Sequence, residues 1–206
     1  MTKTVFPPAI KSRPIYGVLE PRGGTCHLLV ADGEGGDAIV DLLAKAGESR
    51  AAMLATAHII YTPGPNGTDK SAELEVQGAA QFYRAPSIAS MLPRLQRVLA
   101  DAQMGMQFYL AGTEGLMGQA EREIMNTGIP YLSIQKEHRG STVRRVQCVH
   151  CKGITENVAT DPFACSHCGL NLFVRDHYSR RMAAFQGVNI DAEDPGQVPP
   201  SVVRFT

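Results

Sequence analysis

Cys26-His-Leu-Leu-Val-Ala31, Asp32-Gly-Glu-Gly-Gly-Asp37 and Ala38-Ile-Val-Asp-Leu-Leu-Ala-Lys-Ala46 follow one another without a gap, and their order decides the fold. The first is an apolar run of strand length, the second a glycine-rich turn, and the third carries apolar residues at helical spacing. The order returns downstream. Met106-Gln-Phe-Tyr-Leu-Ala111 predicts a strand, Gly112-Thr-Glu-Gly115 a turn, Leu116–Thr127 an amphipathic helix stopped by Gly128, and Tyr131–Lys136 a further strand. Between these units, Ala57–Tyr61 and Gln81–Ala85 read as strands and Thr62–Thr68 as a Pro/Gly loop. Ser87–Ala102 reads as a helix that Pro93 is expected to kink or delay. Strands alternating with helices imply crossover connections and a parallel sheet covered on both faces, so the expected fold is α/β, a small doubly wound sheet over residues 26–140. Such sheets bind ligands at the carboxyl ends of their strands. That places a candidate site at the turns after Ala31 and Ala111, with Gly33, Gly35, Gly112 and Thr113 as its residues.

The flanks differ in composition. Residues 1–25 hold Pro7, Pro8, Pro14, Pro21 and the Gly23-Gly24 pair, which favours an extended arm over a helix. After residue 140 the α/β rhythm stops. Arg175–Phe185 suggests a short helix, closing a module over 141–187, and the Pro-rich residues 188–206 suggest an extended tail.

Four of the five cysteines lie in that module, as Cys148-Val-His-Cys151 and Cys165-Ser-His-Cys168, while Cys26 stands apart at the start of a strand. A CxxC turn lets two thiolates converge on one ion, and two such knuckles complete a tetrahedron. Thirteen residues separate Cys151 from Cys165, room for a short hairpin, so the module is read as a zinc-ribbon or rubredoxin-like metal site with these four ligands. Two disulfides or four free thiols are the alternatives. Four thiolates suit zinc and iron alike, and the lack of a CPxCG pattern favours zinc over iron. His150 and His167 lie inside the knuckles but are redundant as ligands once four sulfurs are counted.

Composition removes several functional classes. Lys plus Arg and Asp plus Glu both total 20 in 206 residues, so there is no polycation for nucleic acid, and none is expected as a partner. Trp is absent and aromatic residues are 6%, which argues against stacking platforms for sugars or single strands. No run approaches the length of a membrane span and the first residues lack a signal-peptide core, so the expectation is a cytoplasmic protein with no membrane partner. No GxSxG, HExxH or GxxxxGK[ST] pattern occurs, and nothing nominates a nucleophile or general base. Met104, Met106, Met117 and Met125 read as core or interface filler.

Two resemblances extend this reading. Leu28–Leu43 and Met106–Met117 are similar to the phosphate and nicotinamide turns of the pyridine-nucleotide domain of ferredoxin reductases, over residues 26–140. Gly33 and Gly35 match glycines of that family's first motif, but Asp37 and Ala38 stand where it has Thr and Pro, and Ala111-Gly112-Thr113 lacks its Cys. Glu34 and Asp37 also set carboxylates beside a helix N-terminus that would otherwise receive phosphate. The turns are therefore expected to be vestigial, in a domain kept for assembly or weak ligand contact.

The second resemblance is carried by Val146–Ile154, Asp161–Leu170 and Phe173–Gly187, which resemble the small subunit of bacterial dimethylamine monooxygenase. It implies membership of an NADPH-dependent multisubunit enzyme that N-demethylates dimethylamine to methylamine and formaldehyde. Haem, flavin and an iron–sulfur cluster are then expected on partner subunits only, a haem oxygenase chain and a flavin/iron–sulfur reductase chain. This chain's expected role is an accessory one, not catalytic alone, scaffolding the complex or tuning electron transfer. The alternative is a one-electron carrier built on a tetrathiolate iron.

Overall fold

A computed structural model describes residues 12–206. Of the arm expected over residues 1–25, residues 1–11 lie outside the described residues, and 12–24 form no helix or strand. The described residues divide into two compact units, one spanning Tyr16–Ser141, the other Thr142–Thr206 together with residues 12–15.

The first unit contains strands β1 (Cys26–Asp32), β2 (Ala57–Thr62), β3 (Gln81–Arg84), β4 (Met106–Gly112) and β5 (Ile134–His138). Helices α1 (Gly35–Lys45), α2 (Arg50–Ala55), α3 (Ser71–Glu75), α4 (Ile88–Ala100) and α5 (Glu114–Asn126) connect them. All four pairings are parallel and the strand order is β3-β2-β1-β4-β5, the doubly wound arrangement expected from the alternation of strands and helices. Alternate residues of the central strands serve opposite faces. Leu28, Val30, Ile60, Phe108 and Leu110 join the apolar faces of α4 and α5 in one buried cluster, while Leu29, Ala31, Ile59, Tyr61 and Tyr109 join α1 and its neighbours in another. Coverage on both sides is why β1 and β2 read as nearly continuous apolar runs.

Pro93 does not delay α4. Ser87 accepts the Ser90 amide at 3.2 Å while the Ser90 hydroxyl accepts the Ser87 amide at 3.1 Å, so the helix is capped at Ile88 and runs through the proline. The lost backbone bond is offset by burial of Met91, Leu95, Val98 and Leu99. Helix α5 begins at Glu114, two residues before the expected Leu116, because Thr113 caps it. The expected strand over Tyr131–Lys136 starts only at Ile134, after a single 3₁₀ turn. Met104, expected as filler, is 97% exposed, while Met106 and Met117 are buried. The outer edge of β5 is occupied by the preceding segment. Gly17 donates its amide to the Lys136 carbonyl, Leu19 donates to a Glu137 carboxylate oxygen, and Glu20 exchanges two hydrogen bonds with the Gln135 side chain.

The second unit contains β6 (Arg144–Cys148), β7 (Ile154–Val158), β8 (Thr160–Asp161), β9 (Phe163–Ala164), β10 (Asn171–Ser179), β11 (Ala184–Asn189) and β12 (Val202–Val203). Five strands form a sheet in the order β7-β6-β11-β10-β9, and β12 pairs with β8. The helix expected over Arg175–Phe185 is absent, a correction with a clear cause. Leu172, Val174 and Tyr178 bury one face of β10, a register shift between Arg175 and Tyr178 absorbs the charged residues, and the chain turns at 180–183 into β11. Residues 188–206, expected to form an extended tail, also hold turns and bends over 190–196, and the segment is not free. Its first residues end β11, Val202 and Val203 pair in β12, and Phe205 is buried.

One polar residue sits inside the small core of this unit. The Arg144 guanidinium lies 4.0 Å from the Phe185 ring centre and 4.3 Å from that of Phe205, and it pairs with Asp176 at 2.9 Å.

Candidate metal centre

Both knuckles are built from the same backbone bonds. Cys148 donates its amide to the Gly153 carbonyl at 2.9 Å and accepts from Lys152 at 3.0 Å; Cys165 donates to the Leu170 carbonyl at 2.9 Å and accepts from Gly169 at 3.0 Å. The residue four beyond each leading cysteine is left-handed in both cases, Lys152 at φ 64 and Gly169 at φ 75. Glycine adopts that conformation freely, whereas Lys152 is held in it by the turn. The side chains of the second knuckle fasten it to the strand after the first. Thr155 Oγ1 accepts the Ser166 amide at 3.2 Å, and the His167 ring, with Nε2 2.9 Å from the Ile154 carbonyl, packs on Gly153 so closely that a Cβ there would overlap it. His167 thus has a positioning contact of its own, consistent with its being redundant as a ligand.

The consequence is a cluster of sulfurs. Cys148, Cys151, Cys165 and Cys168 bring their four Sγ atoms within 4.8 Å of one another, with 3.9 Å between Cys148 and Cys168 and 3.7 Å between Cys151 and Cys165. A tetrahedron of thiolates about 2.3 Å from one ion has edges of about 3.8 Å, so the donor set fits a single zinc or iron. These two separations exceed a disulfide's ~2.05 Å bond, and all five cysteines are free. Cys148 and Cys165 are buried, whereas Cys151 and Cys168 face outward. Burial pushes the Cys165 thiol up, but the amides of Cys168 and His167 aimed at its sulfur, together with the Cys168 and Cys151 thiols, draw it below the usual thiol range. Knuckle amides that favour thiolate are what a cation site requires.

The glycine turns come together at the carboxyl ends of β1 and β4, but around a carboxylate. Asp32, the last residue of β1, accepts the Thr113 amide at 2.7 Å and the Thr113 hydroxyl at 2.6 Å. Its carboxylate lies against Gly112, whose φ of +120 and lack of a Cβ make room for it; a Cβ there would fall 1.9 Å from Asp32 Oδ1. Gly35 is pressed on the Ala111 carbonyl and Gly33 on Gly64, so these glycines serve close helix–strand and loop packing. The space left among Gly33, Glu34, Thr68, Thr113 and Gly140 is about 10 Å³, no more than one water fills. Arg139, the cation bordering it, is engaged by Glu137 at 2.6 Å and Asp41 at 3.1 Å. Asp37 is paired with Lys70 at 3.1 Å. Burial pushes the Asp32 carboxyl up to about 6 despite its bonds from Thr113. Asp32 was not singled out by sequence reasoning, although an acidic residue closing a buried apolar strand was the signal.

Comparison with known proteins agrees along most of the chain. The family model described as dimethylamine monooxygenase subunit DmmA-like, N-terminal domain, matches residues 8–134, and the corresponding C-terminal domain matches residues 145–188. The heme-dependent oxidative N-demethylase delta subunit of Ectopseudomonas mendocina (strain ymp) is 28% identical over 148 residues, which are 69% of this chain and 85% of that protein. Among solved structures, a flavohemoglobin from Malassezia yamatoensis with bound FAD and heme is 15% identical at a TM-score of 0.42, over 59% of this chain and 33% of its own. An intact type IV self-sufficient cytochrome P450 monooxygenase is 16% identical at a TM-score of 0.43, over 82% of this chain and 28% of its own. The chain spans a third or less of those two structures, and likeness at that level carries no functional argument. The two domain matches do: the chain belongs to the dimethylamine monooxygenase subunit DmmA-like family, and so to a family of oxidoreductase subunits.

Proposed function

We propose that this protein is an accessory subunit of a heteromeric, haem-dependent monooxygenase that N-demethylates a small amine, with dimethylamine as substrate and NADPH as the electron source. The observation that carries the reading is the pairing of a four-sulfur cluster with a dinucleotide crevice that the chain itself has filled. Cys148, Cys151, Cys165 and Cys168 hold one zinc, whose chemistry is structural, joining the two knuckles and through them β6, β9 and β10. Asp32 and Thr113 close the crevice where a dinucleotide pyrophosphate belongs in this fold, so hydride chemistry is assigned to a partner. The chain's work is then to scaffold a haem oxygenase subunit and a flavin/iron–sulfur reductase subunit, or to tune electron transfer between them, in the cytoplasm. No helix among the described residues is long and apolar enough to cross a membrane.

A second reading has one observation in its favour. Cys151 and Cys168 are exposed, which gives a tetrathiolate iron an open face for one-electron exchange. Elemental analysis of the natively purified complex, with visible spectra before and after dithionite, separates the two. One zinc, a redox-silent C-terminal module and co-purification with haem and flavin chains are the expected result. One iron with a thiolate-to-iron band that bleaches replaces the scaffold by the carrier, and a chain that purifies without oxidoreductase partners overturns both.

A further inference from the structure

A pocket in the α/β unit lies at the opposite end of the sheet from the glycine turns. It measures about 480 Å³, within the size range of ligand pockets. Cys26, His58, Gln81 and Met106 contribute from the amino ends of β1, β2, β3 and β4, and Arg94, Arg97, Val98 and Asp101 from the second half of α4 and its C-cap. Core packing explains only part of this lining. Met106 and Val98 belong to the buried cluster of Leu28, Ile60 and Phe108, and Cys26 packs against it, whereas His58 stands on the same strand face as a polar residue opposite Arg94 and Arg97.

The polar atoms here are under-used. His58 Nδ1 and Arg94 Nε are buried and have no hydrogen-bond partner in the protein, a rare state for such groups. Arg94 donates to the neutral Gln81 side chain at 2.6 Å and lies over the Tyr83 ring, and among the described residues no carboxylate pairs with it. Arg97, one turn further along α4, is exposed and shares the pocket with Asp101. Burial first, and the Arg94 charge second, hold the His58 imidazole below the usual histidine range, so at neutral pH it offers one N–H and one lone pair. Cys26 is not a nucleophile in this setting: burial pushes its thiol up, and its sulfur is 3.2 Å from the Thr56 carbonyl, to which it donates.

Two guanidiniums at i and i+3, facing a neutral imidazole and an apolar wall of Val98 and Met106, form a recognisable chemistry. The guanidinium fork matches the geometry of a carboxylate or phosphate. We infer that this pocket is a binding site for a small organic anion, its carboxylate or phosphate held by Arg94 and Arg97, its body against Val98 and Met106, and a polar group within reach of His58. Asp101 opposes excess negative charge and so favours a ligand with a single anionic group.

The test uses the full chain, isotope-labelled, in NMR titrations at constant ionic strength. Phenyl phosphate and benzoate are the anionic probes, and benzyl alcohol is the uncharged control. Saturable shifts of the Arg94 and Arg97 Nε and His58 ring signals, with a Kd of about 1 mM or tighter for at least one anion, are expected. The stronger of the two anions identifies phosphate or carboxylate as the preferred group. Arg97→Gln weakens binding about tenfold or more, Arg97→Lys keeps the charge but not the fork and falls between, and Asp101→Asn tightens it. Arg97 is on the helix surface, so thermal melts of these variants are expected to match the parent. No saturable shift with either anion overturns the inference, as does equal binding of benzyl alcohol or unchanged affinity in Arg97→Gln.

Discussion

The α/β unit buries two apolar clusters, one on each face of its sheet, whereas the C-terminal unit gathers one small cluster in which Cys148 and Cys165 are themselves members. Apolar burial grows faster than surface as a domain grows, so the larger unit is held by its side chains alone. The smaller one has seven strands, several of only two residues, and a charged Arg144 at its centre. Units of that size are usually stapled, and here the staple coincides with the core because the buried cysteines belong to both. The contrast marks the place where the proposed ion would add what so little apolar area does not supply.

Removing the proposed metal tests that contrast most severely. Chelation, or Cys148→Ser, is expected to unfold residues 142–206 while the sheet of the α/β unit keeps its protection from amide exchange, because ion binding supplies much of a small module's folding free energy. Continued protection of β6, β10 and β11 breaks the comparison. Arg144→Ala comes next. Loss of the guanidinium between Phe185 and Phe205, leaving Asp176 with Arg13 alone, is expected to destabilise the C-terminal unit by about 4 kcal/mol, measured by exchange in β11.

A smaller effect belongs to the α/β unit and depends on pH. The Asp32 carboxyl is raised in the folded protein to about 6, so the folded state binds the extra proton. Its stabilisation is full below about pH 4, where the unfolded carboxyl is also protonated, and is lost as pH rises through about 6, a change of about 3 kcal/mol. Exchange rates in β1 and β4 across that range measure it, and Asp32→Asn is expected to flatten the profile and to be the more stable form at pH 8. A slope of the opposite sign refutes the burial of this carboxyl. Smallest is Ser87→Ala. Deleting the cap that lets α4 start ahead of Pro93 is expected to lower stability by about 1 kcal/mol, visible in thermal melts.

The larger unit was legible because its signals are local. Strand, glycine turn and helix lie within Cys26–Ala46 and again within Met106–Thr127, and parallel alternation follows from their order. The four metal candidates were equally legible, since CxxC spacing is itself a geometric statement. What was not legible depends on distant partners. Arg175–Phe185 is a strand and turn only because β11 and β9 flank β10, and no local propensity in Arg-Asp-His-Tyr-Ser-Arg-Arg announces them. The glycine turns after β1 and β4 suggested a phosphate cradle, but Gly112 admits the Asp32 carboxylate from the neighbouring strand β1, brought there by the pairing of Ala31 with Ala111. Nothing in the helical sequence around Arg94 and Arg97 announces that the amino ends of four strands are set opposite them.

Residues 17–20 cover the outer side of β5: Gly17 takes the Lys136 carbonyl, a group that a further strand would otherwise claim, and Leu19 and Glu20 bond the Glu137 and Gln135 side chains. Unpaired edges are the template on which chains add to one another in non-native assemblies. The opposite edge, β3, is four residues long and bears Arg84, a poor template on both counts. A chain designed to work beside other subunits thereby keeps its sheet from recruiting copies of itself, leaving side-chain surfaces, and not backbone, to decide what it joins.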